Sequence, residues 1–148
     1  MTAVVLALLI AAAAGITMAV QGALNASLSK VIGLLEATLV VHLVGAALSL
    51  AILLALRSGT GGLPQFKEAP WYAYLGGALG VLIVMGVAFS LPRAGAANAT
   101  TAIIIGQVAT AMLIDQLGLF GMEKIPFSWW SGLGLALLAG GGYFMLCK

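Results

Sequence analysis

Charged residues are scarce in this chain. They make up 7% of its 148 residues, whereas hydrophobic residues make up 63%, and the mean hydropathy is +1.19. Soluble domains carry roughly 25% charged residues. A soluble fold of this length would lack the polar side chains needed to cover its surface. We therefore predict an integral membrane protein with a single transmembrane domain over residues 1–148.

Signatures of several other protein classes are missing as well. One cysteine, Cys147, leaves no partner for an internal disulfide, and one histidine leaves no ligand spacing typical of a metal site. A net charge of +2 without a basic run argues against a nucleic-acid partner. The sequence contains no nucleophile elbow, phosphate loop or dinucleotide fingerprint. We expect no enzymatic activity, no metal and no cofactor.

Five apolar segments are each long enough to cross a bilayer, which takes about 20 residues. Backbone polar groups in lipid have to be paired within the segment, so each segment is predicted to be a helix. Aromatic residues typical of membrane interfaces open the third and fifth segments. Residues 58–70 form the one long loop, and residues 92–95 and 121–126 are short connections. The predicted helices cover about residues 3–28, 34–57, 71–91, 96–119 and 127–147.

Lysine and arginine are divided evenly between the two faces of this five-span arrangement. One face has Arg57, Lys67 and Lys124, and the other has Lys30, Arg93 and Lys148. The positive-inside rule sets orientation by the difference between the faces, and here the difference is nil. Two interpretations stay open. Either other features set one orientation, or the chain inserts both ways and pairs as an antiparallel dimer.

Polar side chains form a stripe near the end of the first predicted helix. Thr17, Gln21 and Asn25 are spaced four residues apart and share one face. Hydroxyl and amide groups donate and accept hydrogen bonds, which suits a neutral or zwitterionic solute. The alternative is hydrogen bonding between helices, worth about 0.6–2 kcal/mol in membranes. All three residues are candidates for binding a solute.

The fourth predicted helix carries a second set of polar residues. Thr100 and Gln107 are seven residues apart and share a face, and Asp115 follows eight residues later, about 80° around the helix. Polar groups inside a span are expensive unless they are paired, so they are functional candidates. Asp115 is a candidate for binding a cationic ligand or a proton. The alternative interpretation is that Asp115 is a carboxylate at the membrane interface.

The second predicted helix carries two titratable residues. His42 can change its protonation near neutral pH and relay protons, or it can be a neutral histidine bonded across a helix interface. Glu36 lies about 120° from His42 around the helix, in the first turn, where the helix dipole favours an acid. In an antiparallel dimer its symmetry mate would face the same cavity. Both residues are candidates for solute binding and for charge coupling.

Glycines are numerous in the predicted helices. Gly76 and Gly80 form a small-xxx-small step, and Gly134 and Gly141 lie seven residues apart on one face of the fifth helix. Small residues let membrane helices approach closely. We predict that these four glycines form the dimer contact.

These residues together resemble the YdcZ-type family of small bacterial inner-membrane proteins in the drug/metabolite transporter superfamily. The likeness covers essentially the whole chain and includes Gln21 and Asn25. It also rests on four stretches, HLVG (42–45), YLGGALG (74–80), IIIGQVATAMLIDQLG (103–118) and SGLGLALLAGGGYF (131–144). The resemblance implies transport of small organic solutes by a dual-topology homodimer or by an oppositely inserted pair. The chain lacks the first-helix glutamate of the four-helix multidrug relatives, which argues against their proton-coupled cation exchange.

We therefore expect an all-α membrane protein in which two five-helix chains pair antiparallel as a ten-helix bundle with inverted symmetry. The expected cavity lies near the midplane, between the first, second and fourth helices of the two copies. The expected partners of the protein are a small solute and the lipid bilayer. Its expected function is export by alternating access. Two alternatives stay open. A structural or lipid-binding module would pair its polar residues fully, and a passive channel would have a polar path open to both faces.

Overall fold

A computed structural model describes residues 2–56 and 62–147 of the chain. The α-helices are α1 (Thr2–Ile32), α2 (Leu34–Leu56), α3 (Leu75–Ala94), α4 (Ala96–Leu117) and α5 (Trp129–Leu146). Short 3-10 helices cover Leu63–Glu68, Trp71–Tyr74 and Leu119–Gly121. Arg57 and Lys148, which enter the charge comparison, and residues 58–61 of the predicted loop lie outside the described residues.

Four helical stretches of the described chain are long and apolar enough to cross a membrane. They are Ala3–Ile32, Leu34–Ala55, Trp71–Ala94 and Ala96–Leu117. The helix α5 has 18 residues, five of them glycine, and falls outside this group. The prediction of an all-helical membrane protein is confirmed with these four candidate spans, and the fifth span stays a prediction.

The first two helices are joined by a single residue. The predicted first helix ends near residue 28, but α1 continues to Ile32 and ends at Gly33, whose φ of 97° is outside the helical range. The Gly33 N–H donates to Ser29 O, and Gly33 O accepts from Ala37 N–H, so Gly33 closes α1 and opens α2. The left-handed backbone at Gly33, which glycine adopts without steric cost, sets the helix end.

The remaining helix ends also follow from local chemistry. Pro70 precedes a 3-10 turn, so α3 begins at Leu75 instead of Trp71 and continues through Pro92 until Gly95, where φ is 84°. The helix α4 ends at Leu117, two residues before its predicted end, and is capped by Gly118, whose φ is 63°. Ser128 accepts a hydrogen bond from Trp130 N–H and so starts α5 at Trp129.

The long connection before α3 is folded onto that helix. Tyr74 donates a hydrogen bond to Phe66 O, and the two rings meet edge to face at a centroid distance of 6.5 Å. The 3-10 turn Leu63–Glu68 is therefore held beside the start of α3. The regular structure of this part of the predicted loop comes from its own backbone hydrogen bonds, from Gln65 N–H to Gly62 O and from Ala69 N–H to Phe66 O.

Small residues line the helix contacts within the two compact units of the chain, Met1–Pro92 and Arg93–Lys148. In the first unit α1 approaches α3 closely, since a Cβ at Gly22 would lie 2.9 Å from Val87 Cγ1. None of the described large side chains is fully buried. This is the arrangement expected where lipid surrounds helices that approach through small residues. The buried residues are Gly22, Asn25, Ala26, Ala37, Thr38, Ala88, Leu91, Ala99 and Gly142.

Candidate functional site

Asn25 is the most enclosed of the predicted solute-binding side chains. It is 6% exposed, in a part of α1 where Gly22 and Ala26 are also buried. Within the described residues its amide forms no side-chain hydrogen bond, and it keeps a small exposed surface. No described side-chain nitrogen or oxygen is both buried and unpaired, so the amide of Asn25 keeps a surface through which it can bind a group from outside the chain.

His42 lies at a depth similar to that of Asn25. Asn25 is eight residues before Gly33 and His42 is nine residues after it. Both are therefore about 12–14 Å along their helices from this connection, in a hydrocarbon core about 30 Å thick. Lys30 and Glu36, both exposed, flank the connection, as expected at a membrane interface. The first unit thus holds an amide and an imidazole at similar distances from the connection between α1 and α2.

The imidazole of His42 is half-buried and has a defined orientation. Its Nδ1 lies 2.7 Å from Thr38 O, one turn earlier in α2. On the neighbouring α3, a Cβ at Gly80 would lie 3.6 Å from His42 Nε2. Gly80, which the sequence predicts as a dimer contact, therefore faces His42 of its own chain.

The other members of the first polar stripe are exposed. Gln21 forms no side-chain hydrogen bond within the described residues. Thr17 donates to Ala13 O at 3.0 Å, which satisfies its hydroxyl within α1. The three residues share a face, as predicted from their spacing, but only Asn25 reaches the region where helices pack.

Glu36 bends back toward the start of its helix. A Cβ at Gly33 would collide with Glu36 Oε2, so the carboxylate lies over the first turn of α2. A negative charge there is stabilised by the helix dipole. The exposed position of Glu36 beside the connection fits this interaction with the helix dipole. Solute binding by Glu36 stays a prediction.

The predicted residues of α4 are spread along the second unit. Gln107 is exposed, and Thr100 is half-buried. Asp115 is half-buried in the last turn, where its backbone carbonyl accepts from Ile125 N–H at 2.8 Å. The segment that follows α4 is thus fastened to the helix end beside this carboxylate. Solute binding by Thr100 and Gln107 and charge coupling by Asp115 stay predictions.

An apolar groove of about 300 Å³ lies between α4 and α5. Thr101 is the polar residue in its wall, donating to Ala97 O at 2.9 Å and lying 3.5 Å from Met145 Sδ. Next to it, Gly142 is buried against Thr101 and Ile105. Neither Thr101 nor Gly142 is among the residues predicted from the sequence. The run Gly140 to Gly142 indicates close packing, but not which glycine faces α4.

The remaining glycines predicted for the dimer contact are open within the chain. A Cβ at Gly76, Gly134 or Gly141 would meet nothing within 4 Å.

Among the described residues, no group of three or more His, Cys, Asp or Glu is placed to hold a metal ion.

Comparison with known proteins gives one match. Residues 6–144 match the model of a family described as "Putative inner membrane exporter, YdcZ". No curated protein and no solved structure matches the chain. The match covers almost all of the sequence, including every helix described above except the first residues of α1 and the last residues of α5.

Proposed function

The chain belongs to the YdcZ family of inner-membrane proteins, and on this basis we propose that it exports a small organic solute by alternating access. It is a multi-pass inner-membrane protein. The observation that carries the proposal is the enclosed Asn25 amide, which has no partner within the described residues. Carriers bind their substrates near the midplane, and with the Gly33 connection at the membrane interface Asn25 and His42 would lie near that level.

The proposal includes a fifth membrane span, α5. Its 18 residues make about 27 Å of helix, close to the thickness of the hydrocarbon core. Trp129 and Trp130 are both exposed at its start, a position typical of the membrane interface. The helix α5 contains no charged residue. These features support a fifth span.

We further propose that two chains pair antiparallel as a ten-helix transporter. The even division of lysine and arginine between the faces supports insertion in both orientations. The open sites at Gly76, Gly134 and Gly141 leave room for a partner helix to approach. In such a pair one rearrangement opens the cavity to one side and closes it to the other, which is alternating access.

Transport by purified protein in liposomes tests the function. We expect saturable uptake of at least one solute from a panel of neutral, zwitterionic and cationic organic compounds. Asn25→Leu keeps the approximate size of the side chain and removes its amide. The initial rate at low solute concentration should then fall about tenfold, the effect of losing roughly 1.4 kcal/mol of binding. Gln21→Ala tests the exposed amide one turn away.

Ser90→Ala is the matched control, because the Ser90 hydroxyl already donates to Gly86 O within α3 at 2.7 Å. This variant should transport at the wild-type rate. Absence of transport across the whole panel would favour a structural or lipid-binding module. Flux that does not saturate and shows no counterflow would favour a passive channel. Either result would overturn the carrier proposal.

A further inference from the structure

The connection between α3 and α4 is packed less closely than the connection between α1 and α2. Each consists of one glycine with positive φ, Gly33 between α1 and α2 and Gly95 between α3 and α4. The Glu36 carboxylate lies so close to Gly33 that a Cβ there would collide with it, whereas a Cβ at Gly95 would meet nothing within 4 Å. On the side where a Cβ would project, the backbone of Gly95 therefore has room to turn.

Pro92 interrupts the hydrogen bonds of α3 shortly before this glycine. It lies inside the helix, three residues before Gly95. A proline has no N–H, so the carbonyl of Ala88, four residues earlier, receives no hydrogen bond from residue 92, and the pyrrolidine ring crowds that carbonyl. The last turn of α3 is therefore joined to the rest of the helix by one hydrogen bond fewer than in an uninterrupted helix.

Burial along the chain marks the limits of this segment. Leu91 is 7% exposed and Ala99 is 5% exposed, whereas all the residues from 92 to 97 are exposed. The boundary between the two compact units of the chain falls between Pro92 and Arg93. Hinges in proteins are a few residues at the ends of elements that absorb changes in φ and ψ. The exposed segment has this position, because it lies between two buried residues and crosses from one unit to the next.

We propose that residues 92–95 form a hinge about which the second unit turns relative to the first during transport. Pro92 weakens the end of α3, and Gly95 changes its backbone angles without the steric cost that a side chain imposes. This inference rests on the proposed carrier function and adds the place in the chain from which its alternating access originates. The Gly33 connection, which lies inside one unit and is covered by Glu36, stays fixed during the motion.

Distances between paired spin labels test the hinge in the purified protein. Val31, Leu54 and Leu113 are exposed and can be replaced by cysteine two at a time, with Cys147→Ser removing the native thiol. Val31 and Leu54 both lie in the first unit, about 30 Å apart, because about 20 residues of α2 separate Leu54 from the connection. Val31 and Leu113 lie in different units. An excess of unlabelled Cys147→Ser protein keeps distances between chains from contributing.

The width of each distance distribution is the measured quantity. For the pair in different units we expect a distribution about twice as broad as for the pair within the first unit, because only the former crosses the hinge. Pro92→Ala restores the N–H donor to Ala88 O and favours helix. This variant should narrow the distribution between the units to about half its wild-type width and leave the other unchanged.

Pro70→Ala is the matched control. Pro70 is exposed like Pro92, but it precedes the 3-10 turn before α3 instead of lying inside the helix. Replacing it should change neither distribution. Equal widths for the two pairs in the wild-type protein would overturn the hinge. The same narrowing in both proline variants, or narrowing in neither, would overturn it as well.

Solute flux in the liposome assay gives a second readout. Pro92→Ala should lower the maximal rate about tenfold and leave the KM within about twofold, because a hinge acts on the conformational step and not on binding. A raised KM with an unchanged maximal rate would contradict the proposal. The label distances are measured without a solute. Absence of transport by the wild-type protein would therefore overturn the carrier function alone, and equal label widths would overturn the hinge alone.

Discussion

Glycines on one helix differ in what surrounds them. At Gly142 a Cβ would lie 2.5 Å from Ile105 Cδ1 and 3.1 Å from Thr101 Cγ2, whereas at Gly140 it would meet nothing within 4 Å. The glycine run in α5 could be read from the sequence as a sign of close packing. The residue that makes the contact depends on the rotation of α5 about its own axis. That rotation follows from the complementary surface of α4.

A pair of valine substitutions separates these two positions. Gly142→Val should destabilise the second unit by about 1–3 kcal/mol, because the added methyl groups overpack the contact with Thr101. Gly140→Val, the same change in open space, should have little effect. Thermal unfolding in detergent, followed by circular dichroism, measures the difference. Equal midpoints for the two variants would show that α5 does not pack against α4 through Gly142.

The burial of the polar residues in α1 likewise depends on how the helices pack. Spacing predicted that Thr17, Gln21 and Asn25 share a face, and the helix places them so. Only Asn25 is enclosed, because each i, i+4 step turns the stripe by about 40° and brings Asn25 closest to the face on which Gly22 and Ala26 are buried. Sequence spacing gives the angle of a side chain around its helix. It does not give which side of the helix another helix covers.

The connection between α1 and α2 shows how one residue ends a long helix. Thirty-one residues of α1 precede Gly33 without a proline. The apolar pattern predicts where lipid begins and ends, and this places the helix end near the first polar residues. The backbone instead continues as helix until a residue that adopts positive φ, because each additional turn pairs more backbone polar groups.

Replacing this glycine tests the connection. Gly33→Ala should lower the free energy of unfolding by about 1–2 kcal/mol, because alanine is strained at a φ of 97°. The new Cβ would also displace the Glu36 carboxylate. Gly15→Ala, in open space in the middle of α1, is the control, and it should be neutral or stabilising by up to about 1 kcal/mol.

Unfolding of both variants in a series of denaturing-detergent mixtures, followed by helical circular dichroism, gives the comparison. A Gly33→Ala variant as stable as Gly15→Ala would mean that the left-handed backbone is not needed to join the two helices. A loss in both variants would point to a general intolerance of α1 to alanine.

Orientation in the membrane is a property of the complete chain. With the proposed five spans, the six basic residues would divide three and three between the two faces and leave no charge bias, which predicts insertion in both directions. The exposed Cys147 is the one thiol in the sequence and lies near the end of the chain. A reagent that cannot cross the membrane therefore reads the orientation of each molecule.

Labelling of Cys147 in intact and in permeabilised cells tests this prediction. Dual topology predicts about half of the final labelling before permeabilisation, because opposite insertions place the thiol on opposite sides. Cys147→Ser gives the background signal. Complete labelling of intact cells, or none, would exclude a population of mixed orientation and with it the antiparallel pair.

Composition and apolar run length were sufficient to predict the helical membrane class and four approximate spans, because lipid requires each span to be apolar and internally hydrogen-bonded. They also singled out Asn25 and His42, since polar groups in such runs stand out from their neighbours. Tertiary structure decided that Asn25 is enclosed, that Nε2 of His42 faces Gly80, and that Gly142 rather than Gly141 packs against α4. These features depend on helix rotation and contact height, which result from the fit of surfaces distant in sequence.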